Sequence, residues 1–298
     1  MTTSASTHKP IVVGTDGSES ATRAVRWAAR EAVLRRRSLK VVNTYTWPIS
    51  GYPEGLIVSS DVHDALRSDA EKTVRDAKKV AEEAAPRLDV STVVTAGNAQ
   101  QVLRELSEDA ELVVLGSRGL GGFTGLLLGS TAVGLASHAA CPITVVRRRR
   151  EPAGGPVVVG VDGTPVSEAA IAFAFEEAAL RQAPLMAVHA WQETAFDIAM
   201  SSAIAAEFWR SANENAQELI SERLAGWREK YPDVVVTTEV RGTGPAEQLV
   251  RQSAQAQLVV VGSRGRGGFA GLTLGSTSQA VLRHADSPVT VVRADVVT

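Results

Sequence analysis

Leu112-Val113-Val114-Leu115-Gly116-Ser117-Arg118-Gly119 is followed, nine residues on, by Gly129-Ser130-Thr131. The same arrangement returns as Leu258-Val259-Val260-Val261-Gly262-Ser263-Arg264-Gly265, nine residues, and Gly275-Ser276-Thr277. In each copy the all-apolar run reads as a strand buried on both faces. The stretch after the last glycine reads as a helix. A buried strand, a glycine loop and a helix start, in that order, form a cradle for an anion. Glycine lets the backbone approach a ligand and adopt positive φ. The first N–H groups of the helix and its dipole attract negative charge.

Working outward, the whole chain is an internal duplication. A shift of 146 residues lays Gly14-Thr15-Asp16-Gly17 on Gly160-Val161-Asp162-Gly163, Pro86 on Pro232 and His138 on His284. The offset holds as far as Val146 on Val292, so the halves have equal length. Between them lies Arg147-Arg148-Arg149-Arg150-Glu151-Pro152-Ala153-Gly154-Gly155-Pro156, whose charge, proline and glycine read as an exposed linker. Its arginines are read as solvated rather than as phosphate contacts. The expected domains are residues 1–147 and 156–298.

In the first half, Ile11-Val12-Val13 is a short buried strand ending at Gly14, with Asp16 just past its carboxyl end. A helix is predicted over Ser18 to Arg37, with Ala21, Val25, Ala28 and Ala32 at helical spacing. Its Arg35-Arg36-Arg37 run suits the negative end of the helix dipole. Strand Leu39 to Thr44 follows, then an irregular loop or lid over Thr46 to Ser60. A long helix from Asp61 to Ala85 is stopped by Pro86. Strand Val90 to Thr95, a short helix Gln100 to Asp109, strand Leu112 to Leu115, a helix opening at Ser130 and strand Pro142 to Val146 complete the half. The second half repeats this with strands Val157 to Val161, Leu185 to Ala190, Val234 to Val240, Leu258 to Val261 and Val289 to Val292. Its divergent stretch is Gln192 to Glu207. Alternating strands and helices imply an α/β fold, a parallel sheet with helices on both faces. Ligands of such sheets sit beyond the strand carboxyl ends at a switch point, where Asp16 and the Gly116 loop could meet.

Composition excludes several classes. A formal net charge of -2 offers no electrostatic footprint for nucleic acid, and 5% aromatic residues are poor material for base stacking. No run approaches the roughly 20 apolar residues that span a bilayer, and the N-terminal tail lacks the apolar core of a signal peptide. The single cysteine, Cys141, suits a reducing cytoplasm.

The loop is not a Walker P-loop, which needs a lysine before its Ser or Thr. Leu128 and Leu274 precede the glycine here, and Lys230 is the only lysine of the second half. Neither loop contains G-x-G-x-x-G. Phosphate charge would therefore fall to backbone N–H groups, to Ser130 and Ser276, to a metal ion, or to Arg118 and Arg264. Asp16 and Asp162 could accept hydrogen bonds from a ribose diol or help hold a metal. Ordinary turn chemistry explains an Asp before Gly equally simply. His138 and His284 suit a helix C-terminus by charge alone. Cys141 aligns with Ser287 and reads as a small buried residue. No His/Cys cluster has zinc spacing.

These motifs resemble the universal stress protein family in its tandem two-domain form, over Pro10 to Val292. The family's ATP pattern is Gly, two residues, Gly, nine residues, Gly, then Ser or Thr, and both copies match it. The resemblance implies two Rossmann-like domains, each a five-stranded parallel sheet in the order 3-2-1-4-5. It implies adenine beside Thr44 and Ala190, and ribose near Asp16 and Gly116 or Asp162 and Gly262. Phosphates would lie on Gly119, Gly129, Ser130 and Thr131, or on Gly265, Gly275, Ser276 and Thr277. Gly14, Thr15, Leu115 and Arg118, with Gly160, Val161, Val261 and Arg264, would complete the sites. The implied cofactor is ATP, with Mg2+ bound through its phosphates and no protein metal site. Fifth strands Ile143 to Val146 and Val289 to Val292 would pair within the chain as a pseudo-dimer, with a homodimer open beyond that. The expected function is a nucleotide-dependent stress-response switch read by an unidentified protein partner. Slow ATP hydrolysis or phosphotransfer, and a nucleotide-independent dimerisation scaffold, are the alternatives. An adenylating enzyme or flavoprotein is disfavoured because neither a Ser-Gly-Gly loop nor a His-x-Gly-His motif is present.

Overall fold

The computed structural model describes residues 8–46, 60–119, 128–147, 154–191, 202–265 and 274–294. It comprises two units, Met1–Arg148 and Arg149–Thr298. The first runs β1 (Ile11–Gly14), α1 (Glu19–Arg35), β2 (Leu39–Tyr45), α2 (Ser60–Ala84), β3 (Val90–Ala96), α3 (Ala99–Leu106), one 3-10 turn, β4 (Leu112–Gly116), α4 (Ser130–His138) and β5 (Ile143–Val146). The second runs β6 (Val157–Gly160), α5 (Pro165–Arg181), β7 (Leu185–Ala190), α6 (Ser202–Lys230), β8 (Val236–Arg241), α7 (Pro245–Ser253), β9 (Leu258–Gly262), α8 (Ser276–His284) and β10 (Val289–Val292).

Every pairing within each unit is parallel. β1 lies between β2 and β4, with Ile11 opposite both Leu39 and Leu112. β3 adds beyond β2 and β5 beyond β4, giving the order β3-β2-β1-β4-β5. β6 likewise lies between β7 and β9, and the second unit has the order β8-β7-β6-β9-β10. The α/β class and strand order expected from the sequence are both found. Ile11, Val13, Val113, Val114, Val157, Val158 and Val259 have no exposed surface, as strands covered on both faces require.

Helix ends follow local chemistry. Ser18 caps α1 by accepting from the Ala21 N–H at 3.1 Å. Thr164 caps α5 in the same way, and Pro165 stands at its first turn. Both helices end on a left-handed residue that is not glycine, Arg36 at φ 53° and Gln182 at φ 50°. α1 presents Ala21, Ala24, Ala28 and Ala32 inward, all buried. Ala70, Val74, Ala77 and Ala81 do the same on α2, whereas Leu66 is only half-buried.

Two sequence expectations change. The arginine run is not a simple dipole match. Arg35 is buried and pairs with Glu31 at 2.7 Å and Glu111 at 3.0 Å; Arg36 is the left-handed cap, and Arg37 bonds Glu111. β8 begins at Val236 rather than Val234, because Val234 turns back onto the Tyr231 carbonyl and Val235 is 68% exposed. The divergent stretch Gln192 to Glu207 ends inside α6, while 192–201 and the expected lid over 47–59 lie outside the described residues.

The buried pair recurs as Glu177 and Arg181, 2.8 Å apart. The third charge does not recur: Gln257 stands at the position of Glu111 and donates to the Gly155 carbonyl. Around this shared frame side-chain volume differs where buried Phe175 meets half-buried Trp227 and Tyr231. Phe175, Trp227 and Tyr231 stack at centroid distances of 5.8–6.3 Å, where the first unit has Ala29, Ala81 and Ala85.

Removing one member of a buried pair costs about 3–5 kcal/mol, against about 0–1 kcal/mol for an exposed one. Arg35→Leu should therefore shift the chemical denaturation midpoint of the first unit far more than Arg37→Leu, whose side chain is 25% exposed. Equal small shifts would show that the pair contributes little.

Candidate nucleotide-binding cleft

The carboxyl ends of β1, β2 and β4 open into a cleft of about 200 Å³, flanked by the starts of α1, α3 and α4. Of the residues expected at the first site, Gly14, Thr15, Asp16, Thr44, Leu115 and Gly116 line the cleft. Arg118, Gly119, Gly129 and Thr131 line it too, which leaves only Ser130 off the wall, exposed at the first position of α4. His138 is elsewhere, exposed at the end of α4 with Nδ1 3.0 Å from the Gly134 carbonyl oxygen.

Asp16 sits where β1 leaves the sheet. Its Oδ1 accepts from the Ser18 N–H at 3.0 Å, and Gly17 takes φ 81° to let the chain turn. Its Oδ2 lies against Gly119, so close that a Cβ there would overlap it. Gly116 is equally constrained, since a Cβ would stand 2.7 Å from the backbone of Ser20. Both glycines are therefore demanded by packing before any ligand arrives. Ser20 Oγ also accepts from the Arg118 N–H at 3.3 Å. Gly129 N–H donates to the Ser117 carbonyl at 2.9 Å and closes the glycine loop at its base. The loop residues 120–127 lie outside the described residues.

The second unit has the same parts. Asp162 Oδ1 accepts from Thr164 N–H at 3.0 Å and from Thr164 Oγ1 at 2.7 Å. A Cβ on Gly265 would stand 2.5 Å from Asp162 Oδ2, and one on Gly262 would stand 2.8 Å from Val166 Cγ1. Gly275 N–H closes the second loop onto the Ser263 carbonyl at 2.8 Å. Val161 and Val261 are buried, Gly160 and Ala190 half-buried, Arg264 exposed, and Ser276 and Thr277 begin α8.

The two helix starts share an electrostatic feature. Gly129 and Gly275 occupy the N-cap positions in extended conformation, and neither cap supplies a side-chain hydrogen bond. By contrast α1, α3 and α5 are capped by Ser18, Asn98 and Thr164. An uncapped helix start leaves backbone donors for an anion. Among the described residues, no three His, Cys, Asp or Glu side chains gather to hold a metal ion.

Several wall residues escaped the sequence reading: Ala21, Val42, Asn43, Ala99, Leu103 and Ala132. Leu103 of α3 reaches to 3.0 Å from where a Gly14 Cβ would be, and Leu249 of α7 to 3.1 Å at Gly160. The recurrence of leucine in that register was an available signal. Cys141 lines no part of the cleft and is buried. Burial pushes its thiol up from 9.0 to about 12. It should therefore resist alkylation in the native protein at pH 8 and react on unfolding. Because the raised value favours the neutral thiol, its contribution to stability holds below pH 9.0 and is lost between 9.0 and about 12. Rapid native labelling would contradict this.

Comparison with known proteins agrees with this architecture. The model of the universal stress protein family matches residues 7–147 and again 155–293. Universal stress protein Rv2623 of Mycobacterium tuberculosis is 41% identical over 295 residues, covering 95% of this chain and 96% of that protein. A universal stress protein of Mycolicibacterium smegmatis is 39% identical over 289 residues, with the same coverage. The crystal structure of a universal stress protein from Archaeoglobus fulgidus superposes with a TM-score of 0.71 at 19% identity, over 96% of each chain. Two matched domains and full-length relatives together mean that the chain belongs to the universal stress protein family.

Proposed function

We propose that each half of this chain binds one adenine nucleotide, ATP with magnesium carried on its phosphates, and that occupancy is read by a protein partner. The observation that carries this reading is an uncapped helix start sharing one cleft with a carboxylate turn. The parts of that arrangement recur in the second half. The helix start suits phosphate, and the carboxylate suits a hydroxyl donor such as a ribose diol. Thr44 and Ala190 would border the base. Gly119, Gly129, Ser130 and Thr131, with Gly265, Gly275, Ser276 and Thr277, would meet the phosphates, and Arg118 and Arg264 would neutralise charge. The binding domains on this reading are residues 1–147 and 156–298.

Binding rather than turnover is the supported role. Phosphoryl transfer needs an oriented nucleophile as well as charge neutralisation. The arginines could supply the second, but among the described residues we identify no side chain placed in both halves to supply the first.

Calorimetric titration of the full chain with ATP and magnesium should give two sites. Asp16→Ala and Asp162→Ala should each leave one tight site, since losing a hydrogen bond to a charged group costs about 1.5–3 kcal/mol, roughly 10- to 100-fold in affinity. Gly119→Ala, which displaces Asp16 Oδ2, should act like Asp16→Ala. A wild-type protein that takes up no adenine nucleotide would reject the reading.

A further inference from the structure

Positions 43 and 189 are equivalent in the two halves, yet one is asparagine and the other histidine. Both side chains make the same hydrogen bond. Asn43 Nδ2 donates to the Thr15 carbonyl at 2.6 Å, and His189 Nδ1 donates to the Val161 carbonyl at 2.6 Å. Both are buried, at 8% and 6% exposure. An amide and an imidazole share little but an N–H at suitable reach, so the retained feature is the bond itself.

The bond stands where the β1–β2 and β6–β7 ladders stop. The last backbone rungs run from Thr15 N–H to the Val42 carbonyl at 2.9 Å and from Val161 N–H to the Val188 carbonyl at 2.8 Å. Beyond them β2 continues to Tyr45 and β7 to Ala190, while the preceding strand turns away. A buried carbonyl without a partner costs about 1–3 kcal/mol. The side chain takes over as one more rung, so the chain can leave the sheet with that carbonyl satisfied.

The consequence reaches the site. The carbonyl of residue 15 and the N–H of Asp16 belong to one rigid peptide plane, as do those of residues 161 and 162. Holding the oxygen orients the plane, and the plane sets the direction in which the aspartate leaves the backbone. We infer that Asn43 and His189 are positioning residues, which aim Asp16 and Asp162 by fixing the preceding peptide plane. This rests on the reading of those carboxylates as ligand-binding groups. The halves differ in one further tie: the Asp162 N–H donates to Ser167 Oγ at 3.1 Å, whereas the equivalent position 21 is alanine.

The test uses full-length chains. Asn43→Leu keeps the size and removes the donor, and Asn43→His brings in the donor of the other half. Magnesium–ATP affinity at the first site is read in an Asp162→Ala background. Asn43→Leu should weaken it about tenfold or more, and Asn43→His should stay within about threefold of the parent. In an Asp16→Ala background, His189→Leu should likewise weaken the second site, and His189→Asn should not. Hydrogen exchange without nucleotide supplies an independent readout. Asn43→Leu should speed exchange at Gly17 and Ser18 while the strands stay protected, and Asn43→His should restore it. Unchanged exchange at the turn, faster exchange spread across the whole first unit, or failure of histidine to restore the parent behaviour would overturn the inference. If Asn43→Leu does not fold, Asn43→His decides on exchange, since Asn43 also lines the cleft: parent-like exchange at Gly17 and Ser18 supports the bond, and faster exchange there refutes it. A wild-type chain that binds no nucleotide, with turn exchange responding as described, would sink the nucleotide reading and leave the positioning role standing.

Discussion

The placement of β1 between β2 and β4, and of β6 between β7 and β9, is the constraint on which the rest depends. A central parallel strand has no free edge, so its chain can leave only by rising past the carboxyl end and turning over the sheet. The strand beside it does the same on its own path. The opening between the two departures is the crevice, and whatever residues follow β1 and β4 become its walls. Asp16 and Gly116 are neighbours across that opening because Val13 is paired with Val114, a hundred residues along the chain.

Close packing then decides which residues can stand there. Gly14 is crowded by Leu115 and Leu103, Gly116 by Ser20, and Gly119 by the carboxylate of Asp16. A glycine-rich loop is commonly taken as backbone clearing a path for phosphate. Here each of these glycines is required by protein atoms first, and the approach available to a ligand follows from that. The same side chains that fill the missing Cβ volumes, Leu103 and Asp16 among them, line the cleft. Packing and the cleft surface are thus one set of atoms.

Much of this was legible in the sequence, for physical reasons that can be named. Runs such as Leu112-Val113-Val114-Leu115 admit few readings, and a second copy at a constant offset removes most of the remaining ambiguity. Asp16 and the glycines were visible because the same turn and the same glycine spacing recur at a constant offset in the second half. Ala99, Leu103 and Ala132 were not, since they reach the cleft through α3 and α4, and Asn43 was not, since it sits within β2; each is an ordinary residue for its element. Arg35 was misread because a basic residue at a helix end is adequately explained by the dipole. Its burial depends on Glu111, which lies on the far side of two strands and two helices in the chain. Val234 and Val235 were read as strand because hydrophobicity alone does not report a turn closed by Tyr231.

The duplication separates what the site needs from what the fold needs. Both halves began with the same positions, and each has since changed its own. Side-chain volume differs, with buried Phe175 and half-buried Trp227 and Tyr231 against Ala29, Ala81 and Ala85, and the charge network differs at Gln257. Neither change disturbs the sheet order. Around the crevice some residue types differ while several contacts persist. Ser18 and Thr164 cap the same helix, Asn43 and His189 hold the same carbonyl, and Gly119 and Gly265 face the same carboxylate oxygen. A core tolerates exchange of volume provided the total still fits. A turn that must point a carboxylate in one direction tolerates exchange of chemistry only if the hydrogen bond that aims it survives.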